Sequence, residues 1–136
     1  MKVYIAGKLS DDSEREMLEE MAKLCESLGM KTFLPHRDAG LARDLGDVKG
    51  IFKKDIIEGF KDCELVVADL NGLHVGAGTA WELGYAYANK IPAVGIKTDE
   101  EVKDALESLS SILIASMSIV TSMKELEEWI KKFKKK

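Results

Sequence analysis

Short apolar runs alternate along the chain with segments whose apolar residues recur at helical spacing, and this alternation constrains the fold most strongly. Runs of strand character occupy residues 2–6, 31–35, 64–70 and 91–96, and a fifth lies within 111–120. Strands that are separated by helices cannot pair through tight hairpins, so they favour a parallel sheet with helices on both faces. The sequence therefore predicts an α/β fold of the flavodoxin-like or Rossmann-like kind, doubly wound around five parallel strands.

Helix signals fill the intervals between these runs. Several N-cap candidates in SDDSERE precede apolar residues at helical spacing, and Gly29 provides a C-terminal stop. Ser122 and Glu125 form a capping-box pattern at the start of the last helix. The remaining predicted helices span about 48–60, 79–89, 98–109 and 122–133, and residues 36–47 are expected to form a loop.

Size and composition limit the class of protein. The 136 residues, of which 46% are hydrophobic, suffice for one domain over 1–136 with a real core. No apolar run approaches the roughly 20 residues of a membrane span. The start, MKVYIAGKLS, has strand character and lacks the long apolar stretch and cleavage site of a signal peptide. We therefore expect a cytoplasmic protein that does not bind membranes.

The net charge and the small number of cysteines and histidines argue against nucleic-acid-binding, disulfide and metal sites. A net charge of -4 does not favour nucleic-acid binding, which requires a basic face, and the lysine-rich residues 131–136 fit a solvated helix end. Cys25 and Cys63 lie in apolar stripes and are expected to be reduced core residues. His36 and His74 are isolated from each other and from the cysteines, so no metal site and no cofactor are expected.

The predicted topology indicates where a ligand would bind. In a doubly wound sheet, ligands bind beyond the carboxyl ends of the strands, where the strand order reverses. Here those ends carry residues 7–10, 35–38, 69–78 and 95–98.

The stretch GAGTAWELGYAYANK, residues 76–90, places one carboxylate in the first turn of an otherwise apolar helix. Thr79 and Glu82 fit the capping-box pattern, in which Glu82 would bond back to its own helix. Alternatively, Glu82 faces a ligand, because a helix N-terminus beyond the third strand offers free N–H groups and a positive dipole end. Gly76 and Gly78 either allow a tight turn or belong to a binding loop, but they lack the third glycine of the dinucleotide fingerprint.

Two more acids are expected near the same edge of the sheet. Asp55 shares the apolar face of its helix with Ile51 and Phe52, which is costly unless the carboxylate is paired with a cation or lines a cavity. Asp69, at the end of the third strand, is either a site residue or a turn residue of DLNG. Several carboxylates around one pocket are typical of glycosidic chemistry, in which one is nucleophile or base and another handles the leaving-group proton.

The sequence resembles the nucleoside 2-deoxyribosyltransferase family over most of its length. The matching elements are VYIAG, LPHRD, CELVVADLNG and, as the most specific block, GTAWELGYAYANKIPAVG. The resemblance implies a flavodoxin-like fold and cleavage of a 2'-deoxyribosyl N-glycosidic bond without a cofactor. It further implies a homodimer or higher homo-oligomer in which the subunits share their sites.

The resemblance also implies roles for individual residues. Glu82 falls at the position of the catalytic nucleophile, and Asp55 falls at that of an acid that assists at the base and the leaving group. Tyr4 matches an aromatic residue of the nucleoside pocket. Ser111 falls where a neighbouring subunit reaches into the site. The expected substrate-binding residues are Tyr4, Gly7, Lys8, Asp69, Gly76, Gly78 and Ser111.

Two departures from the family pattern leave the substrate open. Transferases usually carry a base-contacting Asp six residues before the nucleophile, where this chain has Gly76. A related branch, the deoxynucleoside 5'-monophosphate N-hydrolases, has a phosphate-contacting Ser at the place of Ser111, but its serine-and-arginine phosphate loop is absent from residues 7–10. Lys8 and Ser10 either replace that loop or form a solvated loop and helix cap.

Deoxyribosyl transfer between bases is therefore the expected reaction. Hydrolysis of a 5'-monophosphate is the first alternative, and a non-catalytic nucleotide- or flavin-binding module on the same fold is the second. His36 and Arg37, at the same sheet edge, are either ion-paired or ligand contacts.

Overall fold

Five parallel strands form one sheet in the order β2-β1-β3-β4-β5 in the computed structural model, which describes residues 1–136. The strands are β1 Lys2–Ala6, β2 Lys31–Phe33, β3 Cys63–Asp69, β4 Ala93–Ile96 and β5 Ser118–Val120. The chain passes from β1 outward to β2, returns to β3 on the other side of β1, and continues to β5. The order therefore reverses between β1 and β3, and the predicted α/β doubly wound fold is confirmed.

Helices connect the strands and cover the sheet. They are α1 Asp12–Ser27, α2 Pro35–Asp38, α3 Val48–Phe52, α4 Ala77–Ala88, α5 Ser111–Ser116 and α6 Met123–Lys134. Helix α3 continues directly into a π-helix over Lys53–Glu58, and a 3-10 turn spans Val102–Asp104. None of the helices combines the length and the apolar character that a membrane crossing needs.

The core has two layers because successive residues of β1 point to opposite faces of the sheet. Val3 and Ile5 pack on one face with α1 and α6, whereas Tyr4 and Ala6 pack on the other with the π-helix and α4. All four are fully buried. This apolar content on both faces is typical of a central strand in a parallel sheet.

The strand predicted within residues 111–120 is confirmed as Ser118–Val120, and the rest of this stretch is not extended. Residues Ser111–Ser116 are helix α5, and the Ser110 hydroxyl caps it by accepting a bond from the Ile112 N–H at 3.1 Å. Apolar composition alone cannot separate a short buried helix from a strand, whereas an N-cap serine favours the helix.

The prediction of a charged helix over 98–109 is wrong, because only the turn Val102–Asp104 is helical there. The acids that would occupy its first turn have other partners. Asp99 accepts a bond from the Gly72 N–H at 2.8 Å and pairs with Lys97 at 2.8 Å, and Glu100 accepts a bond from the Ser108 hydroxyl. The prediction of a loop over 36–47 is wrong at its start, because residues 36–38 belong to the short helix α2. Pro35 is the first residue of this helix, a position that suits proline.

The π-helix depends on Gly59. Its N–H donates to the carbonyl of Lys54, five residues back, at 2.8 Å. A Cβ atom on Gly59 would lie 2.3 Å from the carbonyl oxygen of Asp55 and 2.8 Å from the Tyr4 ring. The absence of a side chain therefore lets this wider helix close onto the central strand.

We predict that Gly59→Ala lowers the free energy of unfolding by about 2 kcal/mol, because the added methyl group must push the π-helix away from Tyr4. Gly50→Ala in the adjoining α3 is the matched control, since a Cβ there meets nothing within 4 Å. It should change stability by less than about 1 kcal/mol, and in the stabilising direction. Urea unfolding measures both, and equal effects would contradict the close approach of Gly59.

Candidate active site

A cavity of about 720 Å³ opens at the carboxyl ends of β1 and β3. One wall is the helical segment 48–56 and the opposite wall is the start of α4, with residues 7–10 beneath. This is the place that the strand order predicts for a ligand. Six of the expected site residues line it, namely Gly7, Lys8, Asp55, Gly76, Gly78 and Glu82.

Glu82 does not cap its own helix. Helix α4 begins at Ala77, two residues earlier than expected, with Gly76 as an N-cap that makes no side-chain bond. The Glu82 carboxylate instead accepts a hydrogen bond from the hydroxyl of Tyr4, a fully buried residue of the central strand. The capping-box interpretation is therefore wrong, and Glu82 is held on the cavity wall by a contact 78 residues away.

Burial raises the pKa of the Glu82 carboxyl to about 7, and the nearby charge of Asp55 adds to the shift, while the Tyr4 hydrogen bond opposes it. Burial acts in this direction because it disfavours the charged form. Glu82 consequently gains and loses its proton near neutral pH, far above the ordinary range of a carboxyl group.

Asp55 lies in the π-helix and lacks the cation that would make it a structural ion pair. Burial raises its pKa to about 6. Its Oδ1 atom is buried without a hydrogen-bond partner, and none of the ion pairs of the chain includes it. The salt-bridge interpretation is therefore wrong. A buried acceptor without a donor on a cavity wall leaves a position for a hydrogen bond from a ligand.

Lys8 lies across the glycine-rich loop between β3 and α4. A Cβ on Gly76 would meet the Lys8 Cγ at 2.9 Å, and one on Gly72 would meet its Nζ at 2.8 Å. The Lys8 ammonium pairs with Glu14 at 3.5 Å, and Glu14 also accepts a bond from the Ser10 hydroxyl at 2.6 Å. The aliphatic stem of Lys8 thus fills the space that a side chain at position 76 would need.

The first turn of α4 contributes unpaired backbone donors to the cavity. The N–H groups of Ala77, Gly78 and Thr79 have no acceptor among the hydrogen bonds of the chain, and all three residues line the cavity. Free N–H groups and the positive end of the helix dipole favour a negatively charged group at this end of the cavity.

Lys97 fixes the loop that precedes α4. Its side chain is fully buried, and its ammonium donates to the carbonyls of Leu70 at 3.2 Å and Gly72 at 3.3 Å. The Asn71 Oδ1 accepts bonds from the backbone N–H groups of Thr98 and Asp99 at 2.7 and 3.2 Å. These contacts tie the ends of β3 and β4 together beside the cavity.

Tyr4, Asp69 and Ser111 do not line the cavity of their own chain. Tyr4, implied as a residue of the nucleoside pocket, is fully buried and meets the site through its hydrogen bond to Glu82. Asp69 is buried and accepts bonds from the backbone and side chain of Asn71 at 3.1 and 2.9 Å, so it is a turn residue of DLNG. Burial raises its pKa. Ser111 is exposed at the start of α5.

Arg37 makes ion pairs within the chain, and His36 makes a polar contact to a carboxylate. His36 lies 3.1 Å from Glu19, and Arg37 contacts Glu26 at 3.2 Å and Asp38 at 2.8 Å. Neither residue lines the cavity. No three His, Cys, Asp or Glu side chains lie close enough together to hold a metal ion.

Two aromatic residues of the cavity wall were not predicted as site residues. Phe52, expected on the buried face of its helix, is half-exposed, and so is Trp81, the residue before Glu82. Phe52 was missed as a site residue because its helical spacing predicted a core position. For Trp81, the only signal in the sequence is that it directly precedes Glu82.

Comparison with known proteins gives a family match and several similar structures. A family model described as nucleoside 2-deoxyribosyltransferase matches residues 3–121. A 2-deoxyribosyltransferase from Bacillus psychrosaccharolyticus is 18% identical, with 93% of this chain and 90% of that chain covered and a TM-score of 0.78. A search of curated proteins found no match.

Two further solved structures share the fold. A conserved protein from Enterococcus faecalis V583 is 25% identical, with 97% and 98% of the two chains covered and a TM-score of 0.65. A CMP N-glycosidase from Clostridium botulinum is 17% identical, with 96% and 99% covered and a TM-score of 0.58.

The two neighbours of Glu82 should move its pKa in opposite directions. Asp55→Asn removes a negative charge, so we expect the Glu82 pKa to fall. Tyr4→Phe removes a hydrogen bond to the carboxylate, so we expect the pKa to rise. A ¹³C NMR titration of labelled glutamate side chains measures both, and Asp44→Asn in an exposed loop is the control. Shifts of the same sign in both variants would contradict the described contacts.

Proposed function

The chain belongs to the nucleoside 2-deoxyribosyltransferase family, and we propose on that basis that it cleaves the N-glycosidic bond of a 2'-deoxynucleoside and transfers the sugar to a second base. The observation that carries this proposal is the pair of carboxyls in one cavity, Glu82 and Asp55, with pKa values raised to about 7 and about 6. A pair of carboxyls in one cavity, in which the pKa of the general acid is raised, is typical of glycosidic chemistry.

In the first half-reaction the Glu82 carboxylate is the nucleophile. One of its oxygens forms a bond to C1' of the sugar while the bond from C1' to the base nitrogen breaks and leaves its electron pair on the base. Positive charge develops on the sugar, and a carboxylate close to it stabilises that charge. The Tyr4 hydroxyl orients the carboxylate, and the product is a deoxyribosyl ester of Glu82.

Asp55 supplies the proton that the departing base needs. Its raised pKa keeps a fraction of the side chain protonated near neutral pH, and its Oδ1 has no other partner. In the second half-reaction a nitrogen of another base attacks C1', the ester bond to Glu82 breaks, and the proton of the incoming base returns to Asp55. Attack by water in place of the base gives hydrolysis.

The two groups titrate as a coupled pair, so the pH profile belongs to the pair. Between the values of about 6 and about 7 the two carboxyls together carry about one proton. The higher pKa of Glu82 places most of that proton on Glu82, and the reaction uses the minor form of the same one-proton state, with charge on Glu82 and the proton on Asp55. The proposal therefore includes a bell-shaped dependence of kcat/KM on pH with its maximum in this interval.

A second candidate substrate is a deoxynucleoside 5'-monophosphate. The specific observation in its favour is the set of free N–H groups in the first turn of α4, with Lys8, whose stem lies against Gly76, in the same cavity lining. A phosphate group there would accept bonds from a helix N-terminus, while the acids of the cavity face the sugar and the base. In this alternative the acceptor is water and the products are free base and 2-deoxyribose 5-phosphate.

We predict that Glu82→Gln lowers the release of free base from 2'-deoxyadenosine by at least about 1,000-fold, because the amide is not a nucleophile. Asp55→Asn should lower it by about 100-fold. Glu125→Gln is the control, since Glu125 bonds to the backbone N–H of Thr121 and lies in a true helix cap. Chromatography of the products, with and without a second base, measures the reaction.

The same assay separates the alternatives. Incorporation of the second base supports transfer, whereas release of free base from the 5'-monophosphate alone supports the hydrolase. Binding of both compounds without release of base would establish a non-catalytic module. Near-normal turnover by Glu82→Gln would show that the nucleophile is misassigned.

The proposal includes a homo-oligomer with shared sites. Ser111 lies outside the cavity of its own chain, so it reaches a cavity only through association of chains. Its neighbour Ile112 is 76% exposed, so this surface offers an apolar side chain to a neighbouring chain.

We expect light scattering to give a native mass that is a multiple of 15.1 kDa. Ile112→Asp should lower that mass and the activity together, because a charge opposes burial of this surface. Lys103→Asp, an exposed change elsewhere, is the control. A fully active monomer would contradict the shared site.

A further inference from the structure

Phe52 and Trp81 form an aromatic pair on the cavity wall that the reaction described above does not use. Their ring centroids lie 5.8 Å apart with an interplanar angle of 73°. Side chains of this size contribute most when buried, yet the two are 50% and 51% exposed. Both line the same cavity as the two acids.

Each wall of the cavity carries one aromatic residue and one acid. Phe52 precedes Asp55 by three residues on the helical wall, and Trp81 directly precedes Glu82 on α4. Because both rings and both acids line one cavity, a ligand that fills the cavity contacts them together. Of the parts of a nucleoside, only the base is planar and aromatic, and its faces stack on aromatic side chains.

Trp81 is held in place by a series of rings that begins in the sheet. It stacks on Tyr85 at 5.6 Å with an angle of 10°, and Tyr85 meets the edge of Phe60 at 5.1 Å. Phe60 in turn stacks on Tyr4 at 4.1 Å. Because these contacts fix the indole, its exposed half is a preformed surface that loses little freedom when a ligand binds.

We propose that Trp81 and Phe52 form the subsite for the nucleobase, in which the base packs against the exposed surface of Trp81. This inference rests on the proposed function and names the residues that recognise the base. Stacking uses the face that all bases share, so one subsite serves both the departing base and the incoming one. Trp81 is thereby a specificity-determining residue for planar heterocycles, and Asp55 contacts the edge of the base.

Fluorescence tests this directly because the chain has only two tryptophans. Trp129 stacks on Phe133 at the α1–α6 face, away from the cavity, so Trp129→Phe leaves Trp81 as the single reporter. Glu82→Gln in the same protein prevents turnover. We expect adenine and cytosine each to change the emission of Trp81 saturably, and 2-deoxyribose alone to leave it unchanged.

Three outcomes would overturn the subsite. One is emission that stays constant with either base. Another is calorimetric binding of adenine without a change in emission. The third is emission that follows protein concentration and not the base, which would mean that a second copy of the chain covers Trp81. Release of base by the unmodified protein tests the proposed function separately, so failure of one is distinguishable from failure of the other.

Steady-state kinetics provide an independent test of the subsite. Trp81→Leu should raise KM for 2'-deoxyadenosine by about 10- to 100-fold with kcat changed less than about threefold, and Trp81→Phe should restore most of the loss. Tyr87→Leu, an exposed aromatic of the same helix outside the cavity, is the matched control. A fall in kcat at unchanged KM would place Trp81 in support of Glu82 and overturn its contact with the base.

Discussion

The hydrogen bond between the Tyr4 hydroxyl and the Glu82 carboxylate connects the central strand of the sheet to the wall of the cavity. Tyr4 cannot move, because its ring is fully buried and stacked between Phe33 and Phe60. The position of the carboxylate is therefore set by the core of the protein and not by the flexibility of its own side chain. Burial raises the pKa of Glu82, and the hydrogen bond from the Tyr4 hydroxyl opposes this shift because it stabilises the charged carboxylate.

The lining of the cavity combines acids with groups of opposite polarity. Glu82 and Asp55 are its acids, whereas Lys8 and the free N–H groups of the first turn of α4 contribute positive potential. The volume of about 720 Å³ suits one small molecule, and the lining surface is largely apolar. In the proposed reaction such a lining favours a substrate that develops positive charge at its reacting carbon and is polar or anionic elsewhere.

The sequence was sufficient for the architecture, because the three central strands β1, β3 and β4 are short, mostly buried runs and helical spacing separates the strands along the chain. It was insufficient at β5, where Ser110 and not apolar content decides that residues 111–116 are helical. The sequence was enough to select Glu82 and Asp55 as candidate site residues, but it did not predict which side chains contact them. The partner of Glu82 is 78 residues away, and nothing local distinguishes a capping acid from one that bonds to Tyr4. The aromatic wall was missed for the same reason, since the exposure of Phe52 and Trp81 depends on how distant segments meet.

The π-helix over Lys53–Glu58 has a consequence for how this site tolerates changes of chain length. A π-turn holds one residue more than an α-turn, and removal of one residue from the segment would restore regular α-helical pairing. Each residue of an α-helix advances the helix by about 100°. Asp55 would then rotate out of register with Glu82 although every side chain of the pair was still present. Length variation in homologous chains should therefore concentrate in the exposed stretch before α3 and spare the turn that carries Asp55.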